Sequence, residues 1–303
     1  MTLPPTTPEL HALDLYVSVV ELGSLSKAAS RHRITQPSAS GRIRSLERQL
    51  GITLLERTPS GSTPTVAGTL VAEWAESVLR SADELNAGVA ALKARRAGRL
   101  RVAASLTIAE YLLPAWLQQF LRTRPADSVK LEVANSSAVL ERLRAGRADV
   151  GFVESPDSTT DMTEQVVAHD RLRVVAGNDH PWARLGAVPL EAIVTTPLIL
   201  REVGSGTRDA FEAALAEHTD MRPTAALELG STAAIRAAVI AGGPPTVISE
   251  RAIQGDLDAS VLVAVEVPGL RIDRRLRAVW PRSKELPPLA RALLDQIGSP
   301  VDA

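Results

Sequence analysis

ITQPSASGRIRSLE, residues 34–47, decides how the first part of the chain folds. It carries a proline at Pro37 and a glycine at Gly41, both of which punctuate structure. Yet Ala39, Ile43, Leu46 and then Leu50 recur at spacings of four, three and four, the period of a helix. Thr35 is a natural N-cap. Pro37 then falls in the first helical turn, where backbone N–H groups have no intrahelical partner and a missing one costs nothing. The spacing predicts a helix with Ala39, Ile43, Leu46 and Leu50 turned inward. Pro37, Gly41, Arg44 and Arg48 lie on the opposite side, with Gln36, Ser38, Ser40 and Arg42 at the flanks, and Gly51 ends the helix.

The neighbouring segments complete a plan. Before the quoted stretch, Leu10, Leu13, Tyr16, Val17 and Val20 form one amphipathic stripe closed by Gly23. Ser24 then caps a second helix, SLSKAASRH, whose Ala28 and Ala29 let a neighbour come close. After it, Ile52, Leu54 and Leu55 lead into RTPSGSTPT, a turn between two extended arms. Helix, short turn, helix with a polar and basic first half, then a β-ribbon is the winged helix-turn-helix plan. In it the second helix of the pair enters the major groove and the wing holds phosphates.

Thr65 opens a long helix, read as about Val66 to Lys93. Val71, Trp74, Val78, Ser81, Leu85, Gly88 and Leu92 alternate at three and four, a coiled-coil seam that a partner helix would cover. Beyond KARRAGR (93–99) strand-like and helix-like segments alternate. LRVAAS, VKLEVAN and DVGFVE are strands; IAEYLLPAWLQQFLR and AVLERLRAGR are helices. The pattern continues to PLARALLDQI, predicting a parallel, doubly wound α/β part of about 200 residues in two lobes.

The chain has 303 residues, 45% hydrophobic and 23% charged, as expected for a globular protein of two or three domains. It has no cysteine, which removes disulfides, thiolate metal sites and a cysteine nucleophile. The opening MTLPPTTPEL lacks the basic and apolar regions of a signal peptide, and no apolar run is long enough to span a membrane. A cytoplasmic protein is expected. The net charge is -1, but residues 24–66 hold seven basic side chains against Glu47 and Glu56, a local surplus of five. Such a patch on a near-neutral chain is an electrostatic footprint for phosphates. The five histidines are scattered without metal-ligand spacing, and no G-x-S-x-G elbow, P-loop or dinucleotide fingerprint occurs. No enzyme activity, metal or cofactor is expected.

The first 65 residues resemble the LysR-type transcriptional regulators. The resemblance is carried by Tyr16-Val17, Glu21-x-Gly23-Ser24-Leu25, Ala28-Ala29 and Thr35-Gln36-Pro37-Ser38-x-Ser40. It continues through Ile43-x-x-Leu46-Glu47, Leu50-Gly51, Leu54-Leu55-Glu56-Arg57 and Thr65-x-Ala67-Gly68. Leu100-Arg101-Val102, Leu112-Leu113-Pro114, Arg147-Ala148-Asp149-Val150-Gly151 and His180-Pro181 extend it, less tightly, over the rest. It implies a winged helix-turn-helix DNA-binding domain (1–65), a linker and dimerisation helix (66–96) and an effector-binding domain (97–303). The last would have two lobes like those of periplasmic binding proteins, lobe one about 99–157 and 267–300 and lobe two about 158–266. It also implies promoter-operator DNA as partner, self-association as dimer or tetramer, a small-molecule effector, and RNA polymerase as a further partner. A different reading keeps the two lobes as a small-molecule binder or protein-partner sensor with a weak or vestigial DNA module.

For DNA, Thr35, Gln36, Pro37, Ser38 and Ser40 are the expected base-facing residues, and Arg42, Arg44 and Arg57 the expected phosphate or minor-groove contacts. Gln36 can pair with an adenine edge and Pro37 can touch a thymine methyl. For the effector, Ser105, Thr107, Asn135, Ser136, Ser205, Gly206, Thr207 and Ser231 stand after strands and before helices, where a cleft would lie. Hydroxyls and backbone N–H groups there suit a small anionic or carboxylate metabolite. Each of them, taken singly, is more often a plain N-cap, and it is their convergence from both lobes that suggests a pocket. Arg201 and Arg208 could add positive charge, but Glu202 and Asp209 stand beside them.

Overall fold

The structure, a computed structural model, describes residues 4, 6–58, 61–96, 98–156 and 159–298, with backbone only at 57, 58, 61 and 90–96. The chain divides into two compact units, residues 1–87 and 88–303. Among the described residues no helix is long and apolar enough to cross a membrane.

The first unit contains α1 (Leu10–Leu22), α2 (Leu25–Arg31), α3 (Gln36–Leu50), the ribbon β1 (Leu55–Thr58) and β2 (Gly61–Pro64), and the start of α4 (Val66–Arg96). The chain turns out of α1 and α3 through left-handed glycines, Gly23 at φ 59° and Gly51 at φ 71°. Its core holds Leu15, Tyr16, Val19, Ala28, Ala29, Ala39, Ile43, Leu46 and Leu54. Burying Ile43 and Leu46 contributes roughly 1.5–3 kcal/mol each. That outweighs the roughly 1 kcal/mol by which a glycine at 41 weakens the helix. Glu47 joins α3 to the ribbon by accepting from the backbone N–H of Leu54 at 2.8 Å and of Leu55 at 3.3 Å.

Helix α4 runs for 31 residues, about 46 Å. The expected seam divides in two. Val71 is buried in its own unit's core with Ala72 and Ala75, because the first turns of α4 pack back on it. Trp74, Val78 and Leu85 are exposed. The side chain of Leu92 lies outside the described residues.

The second unit continues from the end of α4 through β3 (Arg99–Ala104), α5 (Leu106–Tyr111), α6 (Leu113–Arg122), β4 (Ser128–Val133), α7 (Ser136–Arg144), β5 (Val150–Val153) and β6 (Met162–Gly177). Then come α8 (Pro181–Leu185), α9 (Leu190–Thr195), β7 (Leu198–Leu200), α10 (Gly206–Ala216), β8 (Ala225–Glu228), α11 (Thr232–Ile240) and β9 (Thr246–Ser249). α12 (Glu250–Asp258), β10 (Leu262–Val265), β11 (Ile272–Pro281) and α13 (Pro288–Ile297) complete it. The segment read as one helix from Ile108 is two, α5 and α6. Pro114 lacks an N–H and its ring clashes with the carbonyl four residues back, so α5 ends and α6 begins around it.

Among the described residues, nine strands form one sheet in the order β4-β3-β5-β11-β6-β9-β7-β8, with β10 pairing β6. It is mixed, not purely parallel as the alternation of elements predicted. β3 runs parallel to β4 and β5, and β7 to β8 and β9, but β11 and β6 are antiparallel to each other and to their outer neighbours. These two long strands belong to both lobes. Val167, Ala168, Leu276 and Ala278 pack with Leu100, Val102, Phe120 and Phe152. Leu172, Val174 and Ile272 pack with Phe211, Ile193 and Val247. The apolar cores therefore change over between 168 and 172 on β6 and between 272 and 276 on β11. Strands this long are shared between lobes, whereas the alternation of elements locates only the connections.

Candidate nucleic-acid interface and inter-lobe cleft

On the first unit, Thr35 caps α3 by accepting from the Ser38 N–H at 3.4 Å, with Pro37 in the first turn. Gln36, Pro37, Ser38, Gly41, Arg42 and Arg44 are exposed and Ser40 is half-buried, so one end of the helix presents a polar and basic surface. Arg44 Nε bonds the Ser40 carbonyl at 3.3 Å, which runs its side chain along the helix. Nothing lies within 4 Å of where a Cβ on Gly41 would stand. Arg57 is on β1, with its side chain outside the described residues.

On the second unit, the predicted effector residues behave differently from one another. Ser105, Thr107, Ser136, Ser205 and Thr207 are buried. Ser105 and Thr107 come from the start of α5 in lobe one, and Ser205, Gly206 and Thr207 from the start of α10 in lobe two. Asn135 is a working N-cap of α7, accepting from the Ala138 N–H at 3.0 Å. Ser231 is exposed and caps α11 through the Ala234 N–H at 3.4 Å, so it stands apart from the buried hydroxyls.

Between the lobes lies Arg274 of β11, 5% exposed. Its Nη2 donates to Thr107 Oγ1 and its Nη1 to Thr207 Oγ1, both at 3.0 Å, so one guanidinium joins the hydroxyls of both lobes. Asp170 accepts from its Nε and Nη2 and takes a further bond from Ser249 Oγ at 2.9 Å. The lobes also meet directly. The Ser137 N–H donates to the Gly204 carbonyl at 3.2 Å, and Asn135 Nδ2 to the Val203 carbonyl at 3.4 Å. A Cβ on Gly206 would stand 2.4 Å from the backbone N of Ser155, so only glycine fits that crossing. A cavity lined by Thr107, Arg201, Thr207, Thr232 and Ser249 among others is about 10 Å3, room for roughly one water.

The arginines in and around the cleft have acid partners. Arg201 is buried and makes a bidentate pair with Glu202 at 2.8 and 3.0 Å. Burial pushes the Glu202 carboxyl up, but the bonds from Arg201 outweigh it and hold it below the usual carboxylate range. Arg208 is engaged by Glu212 and Glu228, both at 2.7 Å. At the rim, desolvation raises the Glu110 carboxyl above its ordinary range, with Arg201 pulling the other way. Among the described residues, three buried side-chain polar atoms have no hydrogen-bond partner: Ser105 Oγ, Ser205 Oγ and Glu154 Oε2. Buried polar groups are nearly always bonded, so these are candidates for contact with a ligand.

Sequence reading missed Glu154, Asp170, Ser249 and Arg274. A signal was present. Arg274 falls between Ile272 and Leu276, and Asp170 between Ala168 and Leu172, each on the apolar phase of a strand. A charge on the inward phase of a period-two pattern is a buried charge, and it needs a partner.

A model of the LysR substrate binding domain matches residues 93–299, and one of the bacterial regulatory helix-turn-helix protein, lysR family, matches residues 10–69. An uncharacterized HTH-type transcriptional regulator of Mycobacterium tuberculosis, Rv2282c, is 41% identical over 312 positions, covering 99% of each chain. Among solved structures, the regulatory domain of CcmR from Synechocystis in complex with 2-PG is 30% identical, with a TM-score of 0.60 over 66% of this chain and 95% of that one. Full-length CbnR complexed with its target DNA shares the fold at 23% identity and a TM-score of 0.59, covering 96% and 99%. The chain thus belongs to the LysR family of DNA-binding transcriptional regulators, with an N-terminal helix-turn-helix and a C-terminal effector-binding domain.

Proposed function

We propose that the cleft between the two lobes senses a small acid-bearing metabolite and that its occupancy sets how the first unit holds operator DNA. The observation that carries this is the pair of orphan hydroxyls, Ser105 Oγ from lobe one and Ser205 Oγ from lobe two, each buried two residues before a threonine that bonds Arg274. An acid group bridging them would give each a partner, next to a guanidinium. The 2-PG complex of the CcmR regulatory domain supports a small ligand for this kind of domain. The space beside Thr107 and Thr207 holds about one water, so a ligand that reaches it needs the lobes to part or Arg274 to swing aside. That motion is what a sensor transmits.

On DNA, Gln36, Pro37, Ser38 and Ser40 read base edges and Arg42, Arg44 and Arg57 hold the backbone, with Thr35 fixing the helix start. The exposed Trp74, Val78 and Leu85 stripe of α4 pairs with a second copy, giving a dimer or tetramer in the cytoplasm, where RNA polymerase is within reach of the bound operator.

A thermal-shift screen of inorganic oxyanions and small carboxylic acids on the full chain tests the cleft. A stabilising acid is expected, and Ser105→Ala should abolish it while leaving the unliganded melting point unchanged, because that hydroxyl bonds nothing. Hits confined to neutral or purely cationic compounds would sink the acid reading. Light scattering showing a monomer would sink the pairing of α4.

A further inference from the structure

Glu154 is the cleft residue for which acid recognition alone has no use. It follows β5 directly and is 1% exposed. Its Oε2 lies 2.9 Å from Arg274 Nη2, yet accepts no hydrogen bond. The geometry of Arg274 explains both facts. Nη2 carries two hydrogens. One is directed to Asp170 Oδ2 at 2.7 Å and the other to Thr107 Oγ1 at 3.0 Å. Glu154 is a third neighbour: it feels the positive charge but receives no proton. A buried carboxylate oxygen left without a donor is costly, and more so than a neutral acceptor.

The charge balance points the same way. Arg274 faces two buried acids, Asp170 and Glu154; Asp170 has a second cation in Arg251, 3.6 Å away, whereas Glu154 pairs only with the guanidinium it shares. Arg201, the other buried cation of the cleft, is matched by Glu202. A ligand that brought only negative charge would bury a further anion beside Glu154 and compete for the same guanidinium. A ligand that carried an ammonium next to its acid would not, and its N–H groups would supply the donor that Glu154 Oε2 lacks.

We propose that the cleft is built for a small zwitterion, an α-amino acid or close analogue. Its ammonium donates to Glu154 Oε2, and its acid group accepts from Ser105 Oγ and Ser205 Oγ. Ser205 is the N-cap of the eleven-residue α10 but makes no capping bond with its side chain, so its hydroxyl is available to a ligand. This assignment rests on the reading of the cleft as the effector site and adds the ammonium half of the ligand to it.

Calorimetric titration of the full chain with matched pairs tests it: L-aspartate against succinate, L-glutamate against glutarate, L-alanine against propionate. In at least one pair the amino member should bind tenfold or more tightly than its amine-free twin. Glu154→Gln should erase that preference by weakening the amino member. Ser205→Ala, as a second variant, should weaken both members alike and so distinguish loss of the acid contact from loss of the ammonium contact. If the amine-free acids bind the unaltered chain as tightly as their twins, the ammonium assignment fails and the cleft reading survives. A preference unchanged in Glu154→Gln overturns it as well. If neither member of any pair binds, both readings fail for acids of this size.

Discussion

Asp170 and Arg274 stand opposite each other in the β6–β11 ladder, and Nε and Nη2 of Arg274 both donate to Asp170 Oδ2, at 2.9 and 2.7 Å. They are 104 positions apart in sequence, and they meet where the two apolar cores give way to each other. Arg274→Met would take from Glu154 its ion-pair partner and leave Asp170 with Arg251 alone, 3.6 Å away. Breaking such a cluster from one side costs about 3–5 kcal/mol. The triple change Arg274→Met, Asp170→Asn, Glu154→Gln should recover more than half of that loss in urea unfolding. No recovery would mean that packing, not charge, sets the penalty.

Tyr16 gives a pH dependence with a definite sign. Its hydroxyl donates to the Gly68 carbonyl at 2.7 Å, and burial, then the nearby Glu47 carboxylate, pushes its pKa from 10.0 to about 12. The native state holds the phenolic proton more tightly than the unfolded chain does. That stability is fully present below pH 10 and is lost as pH rises towards 12. Tyr16→Phe should destabilise the first unit by about 1 kcal/mol at neutral pH. Its melting curve should fall less steeply than the parent's between pH 10 and 12.

Two helical glycines should respond oppositely to alanine. A Cβ on Gly68 would stand 2.2 Å from the Leu54 carbonyl oxygen and 2.7 Å from the Tyr16 hydroxyl, so backbone must shift. Gly68→Ala should destabilise by roughly 1–3 kcal/mol despite the better helix propensity. Gly41→Ala meets nothing and should stabilise by about 1 kcal/mol. On the exposed face of α3, a bare backbone also lets DNA come nearer, so operator affinity should fall in the same variant. Raised stability with unaltered affinity in a gel shift would rule out close approach there.

The DNA-facing residues separate by readout. Gln36→Ala should relax sequence preference, because a base-edge bond is lost. Arg57→Ala should weaken binding to all sequences alike and reduce the salt slope by about 1. An Arg57→Ala chain with the parent's salt slope would remove Arg57 from the phosphate contacts.

What could be read from the sequence was what local chemistry decides. Thr35, Pro37 and Gly51 specify both ends of α3 by rules that act within one turn. Ser105, Thr107, Ser205 and Thr207 could be proposed because they precede helices, a local property. Whether a hydroxyl is idle or employed is not local. Ser231 and Asn135 have the same sequence context as Ser205, yet they cap their helices while Ser205 does not. The acids and the arginine between the lobes depend on a register between strands about a hundred residues apart, which no short window contains. Their only trace was a charge standing in the apolar phase of β6 and of β11.

Those two strands have a mechanical consequence. β6 and β11 pair from Ile272 opposite Leu172 to Pro281 opposite Met162, interrupted only by a bulge at Leu276/Arg277. A joint made of a hydrogen-bonded ribbon cannot swing freely as a loop does. It can only twist or flex as an elastic element, with its ladder bonds kept. Its amides should therefore exchange slowly whether the cleft is filled or empty. On the proposed function, the cleft would then signal by a small torsion of this ribbon, across which Asp170 and Arg274 are bonded.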